Sequence, residues 1–355
     1  MIALRRNTLL PIGLELSGDS ATLVQLTGRP GKYEIHSMCH GPLPSTESAS
    51  PEVRDRERAA ALRAMVADHR FRGRQVVSCL GSQELFVQNV RLPQLPPNEV
   101  EKVVQWEAEE RLPYPAREAE IRHFVAGRIR QDSNVRQEVI LLACHHGTLQ
   151  RHIGLLEHAG LNPLSIDIEP IALLRCLQAT GTDQTPQRVA CLNFSERSTT
   201  VVFAEDGQML FLKYIATGGE HLDQAVARHL NLSLAEASRM RARVTAAPEL
   251  DPANEVHRSV ADAIRGPLET LSSEIELCFR YFKVTFRGHD LNRLAVTGPE
   301  SCSWLAAWLG ERLGLKAELV NPFSVLSRWP TSPAALEHPW QWTTAFGLSL
   351  RGSQN

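Results

Sequence analysis

The sequence is short of the features that mark most specialised classes of protein. Its seven cysteines stand at 39, 79, 144, 176, 191, 278 and 302, an odd count with no Cys-x-x-Cys. That argues against a disulfide framework or a zinc site and fits a reducing cytosol. Lysine is scarce: of 38 basic residues only Lys32, Lys102, Lys213, Lys283 and Lys316 are not Arg. Few flexible ammonium groups are on hand for catalysis. Neither sign of charge dominates, with 38 Lys+Arg against 40 Asp+Glu, so there is no global basic signature for nucleic acid. No run of 18 apolar residues occurs, and no transmembrane helix is expected. Arg5-Arg6 precede only the uncharged stretch Thr8 to Leu14 before Glu15, too little for a secretory signal. Any membrane role then needs a partner.

What is present suits two or three globular domains: 355 residues, 43% hydrophobic and 22% charged. Ile12 to Leu16 reads as a strand, Ser17-Gly18-Asp19-Ser20 as a turn and Ala21 to Leu26 as a second strand. Tyr33 to Cys39 is a third strand, Pro42 to Pro51 a surface loop, Glu52 to His69 a helix and Gln75 to Leu80 a strand. A different unit begins near Leu85. Pro93-Gln94-Leu95-Pro96-Pro97 leads into a helix with Asn98 as its expected N-cap and Val100, Val103 and Val104 on one face, ending before Pro113-Tyr114-Pro115. Strands at 121–129 and 137–144 flank a turn at Asp132-Ser133-Asn134, and a helix from about Gly147 stops at Gly160.

The opening pattern then returns. Arg188 to Ser195 is a strand, Glu196-Arg197-Ser198 a turn, Thr199 to Ala204 a strand, Glu205-Asp206-Gly207 a hairpin and Gln208 to Ile215 a strand. Glu15, Ser17, Ser20 and Thr22 lie 178 residues before Asn193, Ser195, Ser198 and Thr200 in every case. Either chance or duplicated domains can give such a match. Beyond Gly218-Gly219-Glu220 come helices, one opened by a capping box at Ser233 and Glu236. A long amphipathic stretch from Val256 to Phe282 should be kinked or split at Gly266-Pro267. A strand at Leu294 to Val296, a helix at Ser303 to Leu313 and a last helix near Thr343 to Leu350 complete an α/β pattern.

Facing turns between paired strands present backbone N–H groups and hydroxyls to a phosphate. An acidic residue ending the first strand would hold a metal through water or orient attacking water. Those positions hold Glu15 and Asn193, and a neutral amide is no general base. Ser17 and Ser195 stand where glycine would let the loops approach phosphate more closely. The residues suggest a nucleotide cleft with weakened chemistry.

These residues, with four further blocks, resemble the actin-like proteins of type IV pilus assembly, the PilM family, related to the cell-division protein FtsA. Leu10 to Leu26 is similar to the family's phosphate loop, and Pro93 to Pro115 (PQLPPNEVEKVVQWEAEERLPYP) to the opening strand and helix of its inserted subdomain. Leu155 to Leu177, Gly218 to Met240, Leu309 to Pro322 and Ala345 to Arg351 resemble later blocks. The resemblance implies a duplicated actin-like two-domain fold with a small α+β insertion. The first domain would hold 1–84, completed by about 166–187 and 335–355. The insertion would hold 85–165, and the second domain 188–334 with a helical subdomain at about 219–290. It implies ATP and Mg²⁺ between the domains, near Glu15, Ser17, Gly18, Asp19, Ser20, Asn193, Ser195, Ser198, Gly218, Gly219, Glu220 and Gly298. It implies a cytoplasmic scaffold, peripheral at the inner membrane, that captures the N-terminal peptide of a PilN-like partner. Val103, Trp106, Glu107 and Glu110 are candidates for the peptide groove.

The departures are specific. The family's Asp-x-Gly is Glu15-Leu16-Ser17 in the first loop and Asn193-Phe194-Ser195 in the second, a common lysine is Thr22, and the adenosine motif is reduced to Thr297-Gly298-Pro299-Glu300. The expectation is a scaffold without catalytic residues whose cleft holds nucleotide weakly or not at all. An active actin-like ATPase or small-molecule kinase is the alternative, and Asp19, Glu196 or Glu220 would supply its base. A second alternative is the cytoplasmic part of the L-type protein of type II secretion. That protein continues into a transmembrane helix, and FtsA into an amphipathic tail, neither of which Arg351 to Asn355 resembles.

Other features read more plainly. Adjacent strand residues point to opposite faces, so Cys144-His145-His146 is a turn at a solvent edge rather than a chelate. Arg54 to Arg74 holds seven Arg and three acids, either a solvated face or a contact for anionic lipid or nucleic acid. Trp106 is either core or a peptide anchor. Trp304, Trp308, Trp329, Trp340 and Trp342 read as packing residues.

Overall fold

The computed structural model describes residues 8–44, 50–131, 134–181, 188–287, 290–328 and 337–353. The expected turn at Asp132-Ser133, the centre of the 42–51 loop and Trp329 lie outside these residues.

Two five-stranded sheets carry the fold. The first contains β1 (Thr8–Ser17), β2 (Ser20–Arg29), β3 (Lys32–Pro42), β4 (Gln75–Leu80) and β8 (Asn162–Ile168), in the order β3-β2-β1-β4-β8. The second contains β9 (Arg188–Phe194), β10 (Thr199–Glu205), β11 (Gln208–Ile215), β12 (Arg293–Thr297) and β13 (Ala317–Leu319), in the order β11-β10-β9-β12-β13. In each, three antiparallel strands are extended by two parallel ones. The shared order and directions make the two sheets copies. Glu15 pairs across with Thr22, and Asn193 with Thr200, so the 178-residue repeat is a structural equivalence.

Helices cover the sheets. The α1 helix (Pro51–Asp68) crosses from β3 to β4, and α3 (His146–His158) leads into β8. Arg151 on α3 grips Asp55 on α1 through two hydrogen bonds of 2.6 and 2.8 Å. In the second domain α5 (Gly219–Leu230), α6 (Leu234–Thr245) and α7 (Glu255–Thr285) lie between β11 and β12, and α8 (Ser303–Leu313) precedes β13. The Ser233–Glu236 capping box is formed: Glu236 N–H donates to Ser233 Oγ, and Ser233 N–H to Glu236. The α7 helix is continuous through Pro267 rather than split. Its buried row of Val260, Ile264, Leu268, Leu271 and Ile275 holds it on the second sheet, outweighing the lost amide.

The α4 helix (Glu169–Thr180) and α9 (Thr343–Ser349) pack against each other between the domains. Every residue of α9 is buried.

The three-stranded sheet β5-β7-β6 forms the insertion: β5 (Phe86–Pro93), β6 (Ala119–Gln131) and β7 (Asn134–His145), with α2 (Pro97–Arg111) on one face. That sheet ends at His145, short of the expected 165, because α3 packs on α1 and β8 pairs with β4. Phe323 and Leu326 already join the first domain's core with Leu10 and Val24, ahead of the expected 335. The N-cap of α2 is Pro96, not Asn98; Pro97 takes the first helical position, where its fixed φ fits and its missing N–H costs nothing. The other face of the insertion leans on the second domain. Asn89 donates to the Leu212 carbonyl at 3.1 Å, and Tyr281 donates to the buried Glu138 carboxylate.

Candidate functional site

The ends of β1 and β9 meet the start of α4 between the domains. Glu15 and Asn193 are both buried there. Between them stands Glu169, the first residue of α4, whose Oε1 accepts from the Asn193 amide at 2.7 Å. Burial pushes the Glu15 carboxyl up to about 8, the neighbouring Glu169 charge adds to the rise, and a hydrogen bond with Thr344 on α9 opposes it. Burial also raises Glu169, against its hydrogen bond from Asn193. Four interdomain elements thus converge on one pair of carboxyls.

A cavity of about 520 Å³ opens above this pair. Glu15, Ser17, Gly18, Ser195 and Ser198 from the expected set line it, together with Glu169, Glu196 and side chains of α1 and α3. The other expected residues lie outside its wall. Asp19 faces Arg58 at 3.5 Å, and Ser20 donates to the Ser17 carbonyl at 2.9 Å. Gly298, at φ +101°, packs on the Asn193 side chain and the Phe194 backbone, where a methyl group would overlap both.

The two loops touch directly. The Glu196 carboxylate lies against Gly18, so closely that a Cβ there would overlap it. Ser82, in the loop after β4, shares a 2.7 Å hydrogen bond with Ser198. Burial raises Glu196; Arg197 opposes this, while Asp19, Glu220 and Glu300 push it further up. The Gly-Gly-Glu turn is equally engaged. Gly219 N–H donates to the Ser195 carbonyl at 3.1 Å, and Glu220 N–H to the Glu196 carbonyl at 2.8 Å. Gly218 is needed here because a Cβ would come within 2.6 Å of the Glu196 carbonyl and the Ser198 amide.

Beside that turn, Arg241 of α6 is buried between Asp223 at 2.5 Å and Glu300 at 2.7 Å, and Glu300 presses on Gly219. Burial works against the Arg241 charge, but the two carboxylates outweigh it and hold the guanidinium more firmly protonated.

On α2, Trp106 is 68% exposed, so it is not core. Glu110 is exposed beside it, Glu107 takes the Arg111 guanidinium at 2.7 Å, and Val103 packs into the insertion's core. Cys144-His145-His146 is the direct junction of β7 and α3, not an open turn, with His145 Nδ1 accepting from Gly147 N–H at 3.0 Å. Among the described residues no helix is long and apolar enough to cross a membrane.

Sequence reading missed Glu169 as a site residue and the Arg241–Glu300 pair altogether. Glu169-Pro170 carries one usable signal, an acid and a proline opening a helix. Nothing local marks Arg241.

Comparison with known proteins places this arrangement. The chain is similar to a solved structure titled "PilM-PilN type IV pilus biogenesis complex", with 24% identity and a TM-score of 0.77 over 97% of this chain and 99% of that one. It is also similar in fold to the ethanolamine utilization protein EutJ from Carboxydothermus hydrogenoformans, at 12% identity and a TM-score of 0.57 over 97% and 89% of the two chains. The duplicated, actin-like α/β fold is therefore established. Residues 13–353 match the family described as type IV pilus assembly protein PilM, and the chain belongs to that family.

Proposed function

We propose that this protein is a cytoplasmic scaffold of a type IV pilus or related assembly platform, peripheral at the inner membrane. It captures the cytoplasmic N-terminal peptide of a PilN-like protein, and its cleft holds ATP weakly or not at all. Family membership supports the assembly role, and the similar solved structure is a PilM–PilN complex.

One observation carries the cleft reading: the groups that would receive a polyphosphate already hold one another. The Gly219 and Glu220 amides are bonded to the second loop, and Glu196 sits against Gly18. An incoming polyphosphate would meet the carboxyls of Glu15, Glu169 and Glu196 among the arginines of the cavity wall, Arg54, Arg58, Arg151 and Arg197, and would have to break these loop contacts to reach the backbone amides. The residues present do not fit ATP with Mg²⁺, and no hydrolytic step follows from them. Isothermal titration should show no micromolar, Mg²⁺-dependent ATP binding; finding it would defeat this part. Steady ATP turnover abolished by Glu15→Ala would defeat the non-enzyme part.

The partner surface is the outer side of α2. Trp is enriched among residues that dominate interfaces, and an exposed Trp beside Glu110 offers a large apolar anchor with a polar rim. Trp106→Ala is expected to weaken binding of a PilN-like N-terminal peptide by about 2 kcal/mol or more while leaving the unfolding midpoint unchanged. Unaltered affinity in fluorescence anisotropy would remove α2 from the groove.

A further inference from the structure

The end of the first sheet opposite the cleft carries a separate set of cations. β1 runs from Thr8 to Ser17, so its two ends lie about 30 Å apart. At the Thr8 end, Thr8 pairs with Gly28, and the β2–β3 hairpin tip beyond it bears Arg29 and Lys32. The segment entering β4 bears Arg70, Arg72 and Arg74 at the same end. The Gln25 side chain fixes that segment, accepting from Arg72 N–H at 2.9 Å and donating to the Arg72 carbonyl at 2.8 Å and the Leu10 carbonyl at 3.1 Å. Asn162 N–H donates to the Arg74 carbonyl at 2.7 Å.

All five cationic side chains are exposed, and none forms an ion pair among the described residues. Asp68 and the half-buried Glu34 are the acids nearest them in the chain, and Glu34 is engaged by the Ser327 hydroxyl at 3.3 Å. Leu9 is 40% exposed at the same end. Burial, assisted by Arg72, pushes the nearby His36 imidazole toward its neutral form, against a backbone hydrogen bond with Arg70.

We infer that this end of the first sheet, which Arg29 and Lys32 of the hairpin share with Arg70, Arg72 and Arg74, is a contact surface for anionic phospholipid headgroups. The cations come from two separate segments held at one end of a rigid sheet. A leaflet presents fixed negative charge in a plane and meets all of them at once. Single-stranded nucleic acid is bound with stacking aromatics, and here Tyr33 is buried and Phe71 half-buried. The contact needs no protein partner, so it goes beyond the peptide reading and stands independently of it.

The test is co-flotation of the purified chain with vesicles at low salt. The chain should float with vesicles of phosphatidylglycerol in phosphatidylcholine, stay behind with pure phosphatidylcholine, and be released by added salt. Each basic residue near an anionic surface is worth roughly fivefold in partitioning. Reversing three charges in R70E/R72E/R74E should therefore weaken binding by about a hundredfold or more, with unchanged circular dichroism. R29E/K32E should lose about twenty-five-fold or more, which keeps the test alive if the triple variant fails to fold. R239E/R243E, an equal charge change on exposed α6 positions, should bind like wild type. No binding to the anionic vesicles would overturn the inference. So would an equal loss in R239E/R243E, or tighter binding to duplex DNA at the same salt.

Discussion

Replacing Glu15 by Gln is expected to stabilise the folded chain, strongly above about pH 8 and hardly at all below pH 4.5. Burial and the adjacent Glu169 raise this carboxyl from 4.5 to about 8. Across that window the native state keeps a proton that the unfolded chain has already released. Stability attributable to Glu15 is thus fully present below pH 4.5 and falls as pH rises, until it is lost near 8. A gap of this size corresponds to on the order of 5 kcal/mol. At about 2–4 °C per kcal/mol for a domain of this class, the unfolding midpoint of Glu15→Gln should pull well ahead of wild type in alkaline buffer. Gln keeps the size of the side chain and can still bond Thr344. Glu169 is raised in the same direction, so some slope will survive in the single variant and flatten in Glu15→Gln/Glu169→Gln. Parallel midpoint-versus-pH curves for wild type and Glu15→Gln would show that the carboxyl is not held neutral.

Much of this fold is legible in the sequence. Strand alternation, the Ser17–Ser20 and Glu196–Ser198 turns and the constant 178-residue offset locate the two equivalent strand–turn–strand units, because paired strands and tight turns are written in adjacent residues. The cap at Ser233 and the stop at Gly160, which adopts φ +76°, are equally local. What was not legible depends on distant partners. The stretch from about Gly147 to Gly160 reads as a helix, but only its contact with α1 assigns it to the first domain rather than the insertion. Gly266-Pro267 reads as a break, and burial along α7 overrides it. Glu169 looks like an ordinary helix-opening acid until the fold sets it between Glu15 and Asn193. Arg241 finds Glu300 across 59 residues of sequence. The contacts between the two loops, Glu196 against Gly18 and Ser82 with Ser198, join residues far apart in sequence and have no local signal.

The same convergence fixes where the chain least tolerates added volume. α9 passes between β1 and α4 at two glycines. A Cβ on Gly13 would overlap the Ala345 carbonyl, and one on Gly347 would overlap the Ala172 carbonyl of α4. Both obstacles are backbone, which cannot rotate aside as a side chain would. Arg175 ties the crossing further, donating to the Gly347 carbonyl at 2.8 Å and to Asp167 at 2.9 Å. Gly347→Ala should therefore destabilise by about 3 kcal/mol or more, the upper range for overpacking, despite the higher helix propensity of alanine. Gly154→Ala supplies the contrast. It lies inside α3, where a Cβ would meet nothing nearer than the His158 ring at 4.0 Å. There the same substitution should stabilise by about 0.5–1 kcal/mol. Urea unfolding of the two variants separates the effects, since opposite signs cannot come from propensity. The α4 helix carries Glu169 and α9 carries Thr344, so prying them apart should also let water reach Glu15 and lower its proton affinity. Gly347→Ala should then lose stability less steeply with rising pH than wild type. A Gly347→Ala chain as stable as Gly154→Ala, with the wild-type pH slope, would mean that the crossing of α4 and α9 is looser than these contacts require.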